Sequence, residues 1–226
     1  MLHKLLYNYG IINKKRNGED MSKQLAPIHY GLYKKVVLFE NIERLIVKKT
    51  SREEGHKILV DRFGDYIELA PLENIIDHNN IHGWLQNVIN IAEKRQAALV
   101  YALMNADTVL LEKVKEAYYE IGLETGGFFT ASNAKEVYTH LNTVLLDGMP
   151  CDGVNKIIEQ DENSIQWQTN KCVHKENWES QGVDVSLYYL FKEAFAKGFV
   201  KGITGDYLYK FSNEYKVHEI KNNLSI

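Results

Sequence analysis

Cysteine and proline are scarce. The 226-residue chain has two of the first and three of the second. Two thiols cannot build a disulfide framework, and they point to a reducing, cytoplasmic setting. Three prolines leave no Pro-rich linker. An excess of one charge is also missing: 27 basic residues face 30 acidic ones, a net charge of −3. No global basic field therefore calls for nucleic acid or an anionic membrane. Apolar runs are short, and none approaches the roughly 18 residues of a membrane span. No Gly-rich phosphate loop, nucleotide fingerprint, Gly-x-Ser-x-Gly elbow or Cys-x-x-Cys pair occurs. What is present is 45% hydrophobic and 25% charged residues. That composition suits a globular chain with a sizeable core.

Residues 1–20 lack the charge order of a secretory leader. From Lys14 to Asp20 the segment is polar and aperiodic, so it is expected not to pack. Gly18-Glu19 ahead of Asp20-Met21 can be encoded as a purine-rich ribosome-binding site, which makes Met21 a candidate start. Residues 21–226 read as one domain, because no Gly, Ser or Pro run marks a linker.

Period 3.6 dominates up to Pro150. Ile28, Leu32, Val36, Phe39, Glu40, Glu43 and Ile46 set a helix over about 27–48. Ser51-Arg52-Glu53-Glu54 reads as a capping box for a helix over 52–62. Further helices are expected over about 81–104, 108–123 and 133–147, the last two capped by Asp107 and Ser132. After Pro150 the period becomes 2, with strands at 154–158 and 164–169 about a turn at Gln160–Asn163. An aromatic helix over 186–201 and a strand from Tyr207 follow, and the tail at 221–223 looks loose. The fold class is thus α+β: mostly helical, with a small antiparallel sheet made of a hairpin at about 152–173 and a C-terminal strand.

Three constellations could carry chemistry. A hairpin turning at Asp161-Glu162 sets Cys151 opposite Cys172, with Asp152 beside the first and His174 on the face of the second. Two thiols and an imidazole suit nucleophilic chemistry, with His lowering the thiol pKa. They equally suit three zinc ligands, or two packed apolar cysteines and a surface His. The second constellation is an echo: Ile28-His29 and Ile81-His82 open helices, and Glu40 and Glu93 each lie eleven residues on. One helix holds such a pair about 16 Å apart. Two antiparallel copies would bring His29 to Glu93 and His82 to Glu40 as a helix-bundle metal site. Third, Tyr119, Trp167, Trp178, Tyr188 and Phe195 could line an apolar pocket or fill the core.

The C-terminal half carries a recognisable order of features. The helix Lys115–Gly122 precedes a second helix and the hairpin. The second strand delivers Asn170-Lys171-Cys172-Val173-His174, then come Trp178 and Gly182. A helix with Ala194, Gly198 and Gly202 follows, and last Gly205-Asp206-Tyr207. Over about 115–211 this resembles the bacterial L-2-amino-thiazoline-4-carboxylate hydrolase-like proteins, and more distantly the 4-vinyl-reductase-type small-molecule-binding domains. Val173 stands where that family often has Pro. Tyr188 or Tyr189 and Leu208 stand where it commonly has further cysteines. The resemblance implies the fold and singles out Cys172.

The expected protein binds a small organic ligand and hydrolyses a C–N or C–S bond, with Cys172 as nucleophile and His174 as base. The alternatives are a non-catalytic ligand-sensing or dimerisation module, and a metal-dependent oxygenase using His29, Glu40, His82 and Glu93. No other cofactor is expected, and the partner is a second copy in a homodimer, its interface covered by surplus aromatic side chains.

Overall fold

The computed structural model describes residues 25–149, 152–203, 206–214 and 216–223. The expectations for residues 1–20, for Met21 and for Cys151 lie outside them. Among the described residues six helices precede the strands: α1 (Pro27–Thr50), α2 (Glu53–Phe63), α3 (Leu72–Ile75), α4 (Ile81–Ala106), α5 (Leu110–Gly126) and α6 (Ala134–Val144). The hairpin is β1 (Asn155–Gln160) and β2 (Ser164–Thr169). Next come α7 (Lys175–Glu179), α8 (Val185–Ile203), β3 (Tyr207–Ser212) and β4 (Val217–Asn222). The mostly helical α+β class stands.

Pro27 opens α1, where a missing N–H is harmless. Leu32, Val36, Phe39, Glu40, Glu43 and Ile46 are buried as their spacing requires, while Ile28 is exposed. Ser51 does not cap α2. It ends α1 in the left-handed region (φ 53°), and its N–H reaches the Val47 carbonyl. Asp107 does not cap α5, whose N-cap is Val109 with no side-chain cap; it accepts from Val109 N in the turn before the helix. Asn133, not Ser132, caps α6 by accepting from Glu136 N. Helix α6 also stops at Val144, three residues short of the expected end. Residues 145–149 then form a strap outside regular structure.

The sheet is antiparallel in the order β1-β2-β4-β3. Its β4 was not foreseen: the tail read as loose pairs Lys221 with Ser164 and Asn222 with Tyr207. Helices α6 and α8 cover one face. On β2 the burial alternates strictly. The β1–β2 register begins with Asn155 opposite Thr169 and shifts by one at a bulge between Ile157 and Glu159.

Helices α5 and α8 run parallel at backbone contact. A Cβ built on Gly122 or Gly126 would lie 2.2 or 2.1 Å from the carbonyl oxygens of Phe195 and Phe199. One on Gly198 or Gly202 would lie 2.2 Å from those of Tyr119 and Leu123. The two Gly-x-x-x-Gly faces therefore interlock, and α5 runs on through Gly126 into this contact.

A second pair, α1 and α4, is pinned by buried charge. Arg95 binds Glu40 and Glu43, each at 2.8 Å, and the carbonyls of Gly64 and Asp65 at 2.9 and 3.0 Å. Glu43 also meets His56 at 2.6 Å, and Glu40 accepts from Ile67 N. These bonds tie the 64–67 loop to both helices.

The glycines give a sharp comparison. Gly198→Ala is expected to destabilise by roughly 1–3 kcal/mol through overpacking. Gly31→Ala, on α1 with nothing within 4 Å of its Cβ, should stabilise by up to about 1 kcal/mol through helix propensity. Urea unfolding midpoints of the two variants check both signs.

Candidate functional site

The densest polar chemistry lies where α4, α7, α8 and the strap meet. Asp147 on the strap receives Lys192 Nζ of α8 at 2.6 and 2.8 Å. It also receives His174 Nε2 at 3.1 Å and Asn155 Nδ2 at 3.1 Å. His174, at the N-terminus of α7, donates its other nitrogen, Nδ1, to Glu93 of α4 at 2.7 Å. Asn177 holds the second oxygen of Glu93 at 2.9 Å. The Tyr188 ring lies 4.0 Å from the His174 ring, and its hydroxyl donates to Leu146 O. Two carboxylates thus face two cations, with all four side chains at most 8% exposed and that of His174 only 1%.

Burial alone would lower the His174 pKa, but Glu93 and Asp147 outweigh it and push it up to about 9. Burial would likewise raise the Asp147 carboxyl, and Lys192 and His174 hold it far below the usual range instead. His174 is therefore an imidazolium at neutral pH, donating from both nitrogens.

The network continues into the sheet with one donor direction. Tyr209 donates to His218 Nδ1 at 2.6 Å, His218 Nε2–H to Thr169 Oγ1 at 3.0 Å, and Thr169 to Asn155 Oδ1 at 2.9 Å. Asn155 closes the chain onto Asp147. The His218 ring is sandwiched between Trp167 (5.0 Å, 6°) and Phe211 (4.5 Å, 23°). Burial, with help from Lys192 and Lys216, lowers its pKa to about 3. It is neutral, as the donor direction requires.

The structure regroups the residues singled out from sequence. Strand β2 ends at Thr169, so Cys172 lies beyond the ladder, exposed, near Tyr189 of α8. His174 is no base for it, because both ring nitrogens are committed to carboxylates. Asp152 binds Lys171 at 3.3 Å and accepts from Met149 N. The five aromatic candidates do not form one pocket. Tyr188 and Phe195 line a crevice beside the cluster, whereas Tyr119 lines a separate groove between α5 and α8. Trp167 belongs to the sheet stack. Trp178 is fully buried, its Nε1 without a hydrogen-bond partner among the described residues.

The helix-bundle metal site does not form. Helices α1 and α4 run parallel, so His29 meets His82 (Nε2–Nε2 3.3 Å) instead of Glu93. Glu40 goes to Arg95 and Glu93 to His174. Among the described residues no group of three His, Cys, Asp or Glu could hold a metal ion.

Sequence reasoning missed Asp147, Lys192 and Asn177. Lys192 left a signal: it is a lone cation on the apolar face of the aromatic helix, where burial demands a carboxylate partner. The crevice beside the cluster has a volume of about 20 Å³ and is lined by Lys35, Leu38, Tyr118, Tyr188, Lys192 and Phe195. That is room for one water. Burial lowers the pKa of Lys35, Lys192 adds to the effect and Asp147 opposes it. Among the described residues Lys35 makes no hydrogen bond.

The chain matches no protein-family model, and no curated protein or solved structure is significantly similar to it. No helix among the described residues is long and apolar enough to cross a membrane.

The two buried histidines shape stability in opposite senses. The folded pKa of His174 lies above the ordinary imidazole value of 6.5, so its contribution is complete below pH 6.5 and is lost as pH rises through about 9. That contribution is about 3 kcal/mol. The folded pKa of His218 is depressed, so its contribution is present above pH 6.5 and is lost as pH falls toward about 3. Stability measured by denaturant titration should therefore peak near pH 6.5. His174→Gln should flatten the alkaline limb, and His218→Gln the limb between the peak and about pH 4.

Proposed function

We propose that this is a cytoplasmic small-molecule-binding protein whose ligand carries an acidic group, held at Lys35 over the Asp147–Lys192–His174–Glu93 cluster. The observation that carries the reading is Lys35: a partly buried ammonium at an apolar crevice with no hydrogen bond of its own. An ammonium partly drawn out of water and without a hydrogen bond is stabilised by an incoming anion more than a fully hydrated one. The aromatic and aliphatic walls then take the ligand's organic part. As it stands the crevice admits only a water-sized occupant, so the ligand enters where the strap side chains Leu145 and Leu146 swing aside while Asp147 stays in place. That segment is held by side chains, Lys192 on Asp147 and Tyr188 on the Leu146 carbonyl, and lies outside the sheet ladders. The cluster itself is charge-balanced and saturated, which suits a rigid floor better than a proton shuttle.

Titration calorimetry with small organic carboxylates, 2-amino-thiazoline-4-carboxylate among them, tests this. At least one should bind, and Lys35→Met should weaken it about tenfold or more, the loss of a charged hydrogen bond. Equal affinity for the variant, or no binding by any member of the set, overturns the proposal.

A second reading is the thiol hydrolase implied by the resemblance, favoured by the free, exposed thiol of Cys172. Cys172→Ser should then abolish hydrolysis of the thiazoline ring while leaving the unfolding midpoint unchanged. Retained turnover in that variant removes the nucleophile.

A further inference from the structure

Strand β1 is the outer strand of the sheet, with β2 on one side and no other strand of the described residues on its free side. It is also poorly covered on its faces. Five of its six residues are exposed, Ile157 at 43% and Ile158 at 52%. The opposite edge differs, since β3 packs against α8. An uncovered edge with two isoleucines and no proline is a template for another strand.

The sequence of this edge, Asn155-Lys156-Ile157-Ile158-Glu159-Gln160, is its own complement when reversed. An antiparallel copy centred between Ile157 and Ile158 sets Lys156 opposite Glu159 and Glu159 opposite Lys156. In a regular strand residues three apart point to opposite faces, so that pairing would fail. The bulge repairs it. Lys156 pairs with Gln168 and Glu159 with Gln166, while Asn155, Ile157 and Gln160 pair with the buried Thr169, Trp167 and Ile165. Cross-strand partners share a face, so Lys156 and Glu159 lie together on the face away from the helices. The main-chain groups are in phase as well. Val154 O accepts from Asn170 N, and Asp161 N donates to Ser164 O, both toward β2. Asn155 and Gln160, one residue inside each end, therefore turn theirs to the free edge.

We infer that β1 is a homodimer interface: two copies join their β1 strands antiparallel about a two-fold axis, making one continuous sheet, with Lys156 of each paired with Glu159 of the other. The expectation that aromatic side chains cover a dimer interface gives way to this strand, since Trp167, Trp178, Tyr188 and Phe195 are all buried within one chain. The interface does not depend on the ligand reading.

Sedimentation velocity at tens of micromolar tests it on the full chain. The native protein should run at twice the monomer mass. Lys156→Glu places like charges at both symmetric contacts and should raise the dissociation constant about tenfold or more. The double variant K156E/E159K restores both pairs with signs exchanged and should restore the dimer, and Glu159→Lys alone, which shifts the net charge the opposite way, should weaken it as Lys156→Glu does. Both positions are exposed, and an unchanged circular dichroism spectrum confirms folding of each variant. A native monomer, a dimer indifferent to Lys156→Glu, a double variant no better than the single one, or a dimer broken instead by Tyr119→Asp in the α5–α8 groove overturns the inference.

Discussion

Four ionised side chains share a volume almost closed to water, and their mutual neutralisation is the constraint that the C-terminal half obeys. Taking Asp147, Glu93, Lys192 and His174 out of solvent would each cost several kcal/mol if unmatched. They are matched because each comes from a different place: the strap, α4, α8 and the start of α7. Moving any one of these elements strands a charge. The strap, the short helix and the long helix α8 are therefore positioned by electrostatics as much as by apolar contact. Asn155 extends the same condition into β1, and through Thr169 into the ring stack of the sheet.

Apolar packing sets the scale on which this can happen. The interlocked glycines bring α5 and α8 to backbone contact, which directs Tyr118 and Phe191 against each other (5.6 Å between ring centres). The second cluster, Arg95 with Glu40 and Glu43, holds α1 parallel to α4 and places Leu38, Phe39 and Lys35 against α8 across the crevice. Parallel neighbouring helices need a crossover, and α2, α3 and the 64–67 loop supply it. The ligand reading draws on this arrangement: a rigid neutral floor, an apolar wall and one cation left without a hydrogen bond.

Local signals were legible wherever they depend only on neighbours in sequence. The helical period of α1 and α4, the turn after Gln160 and the alternation in β2 each follow from side-chain spacing or one short-range hydrogen bond. Helix α6 ended early because Asp147 is drawn to Lys192, a partner 45 residues away. Strand β4 was hidden because its residues, Val217 to Asn222, are mostly polar and become a strand by pairing between β2 and β3.

The sequence by itself determined the inventory: which residues can carry charge, which faces are apolar, and that His174 and Glu93 could carry chemistry. It also contained, in Asn155 to Gln160, a strand complementary to itself. Only the tertiary structure decided the partners. His29 met His82, Glu93 met His174 instead of a metal, and Cys172 was left at the surface beyond the end of its strand. The physical reason is that helix direction, the offset between packed helices and a one-residue bulge decide which distant side chains meet. Spacing along the chain constrains none of these, because each depends on burial and charge balance summed over the whole fold.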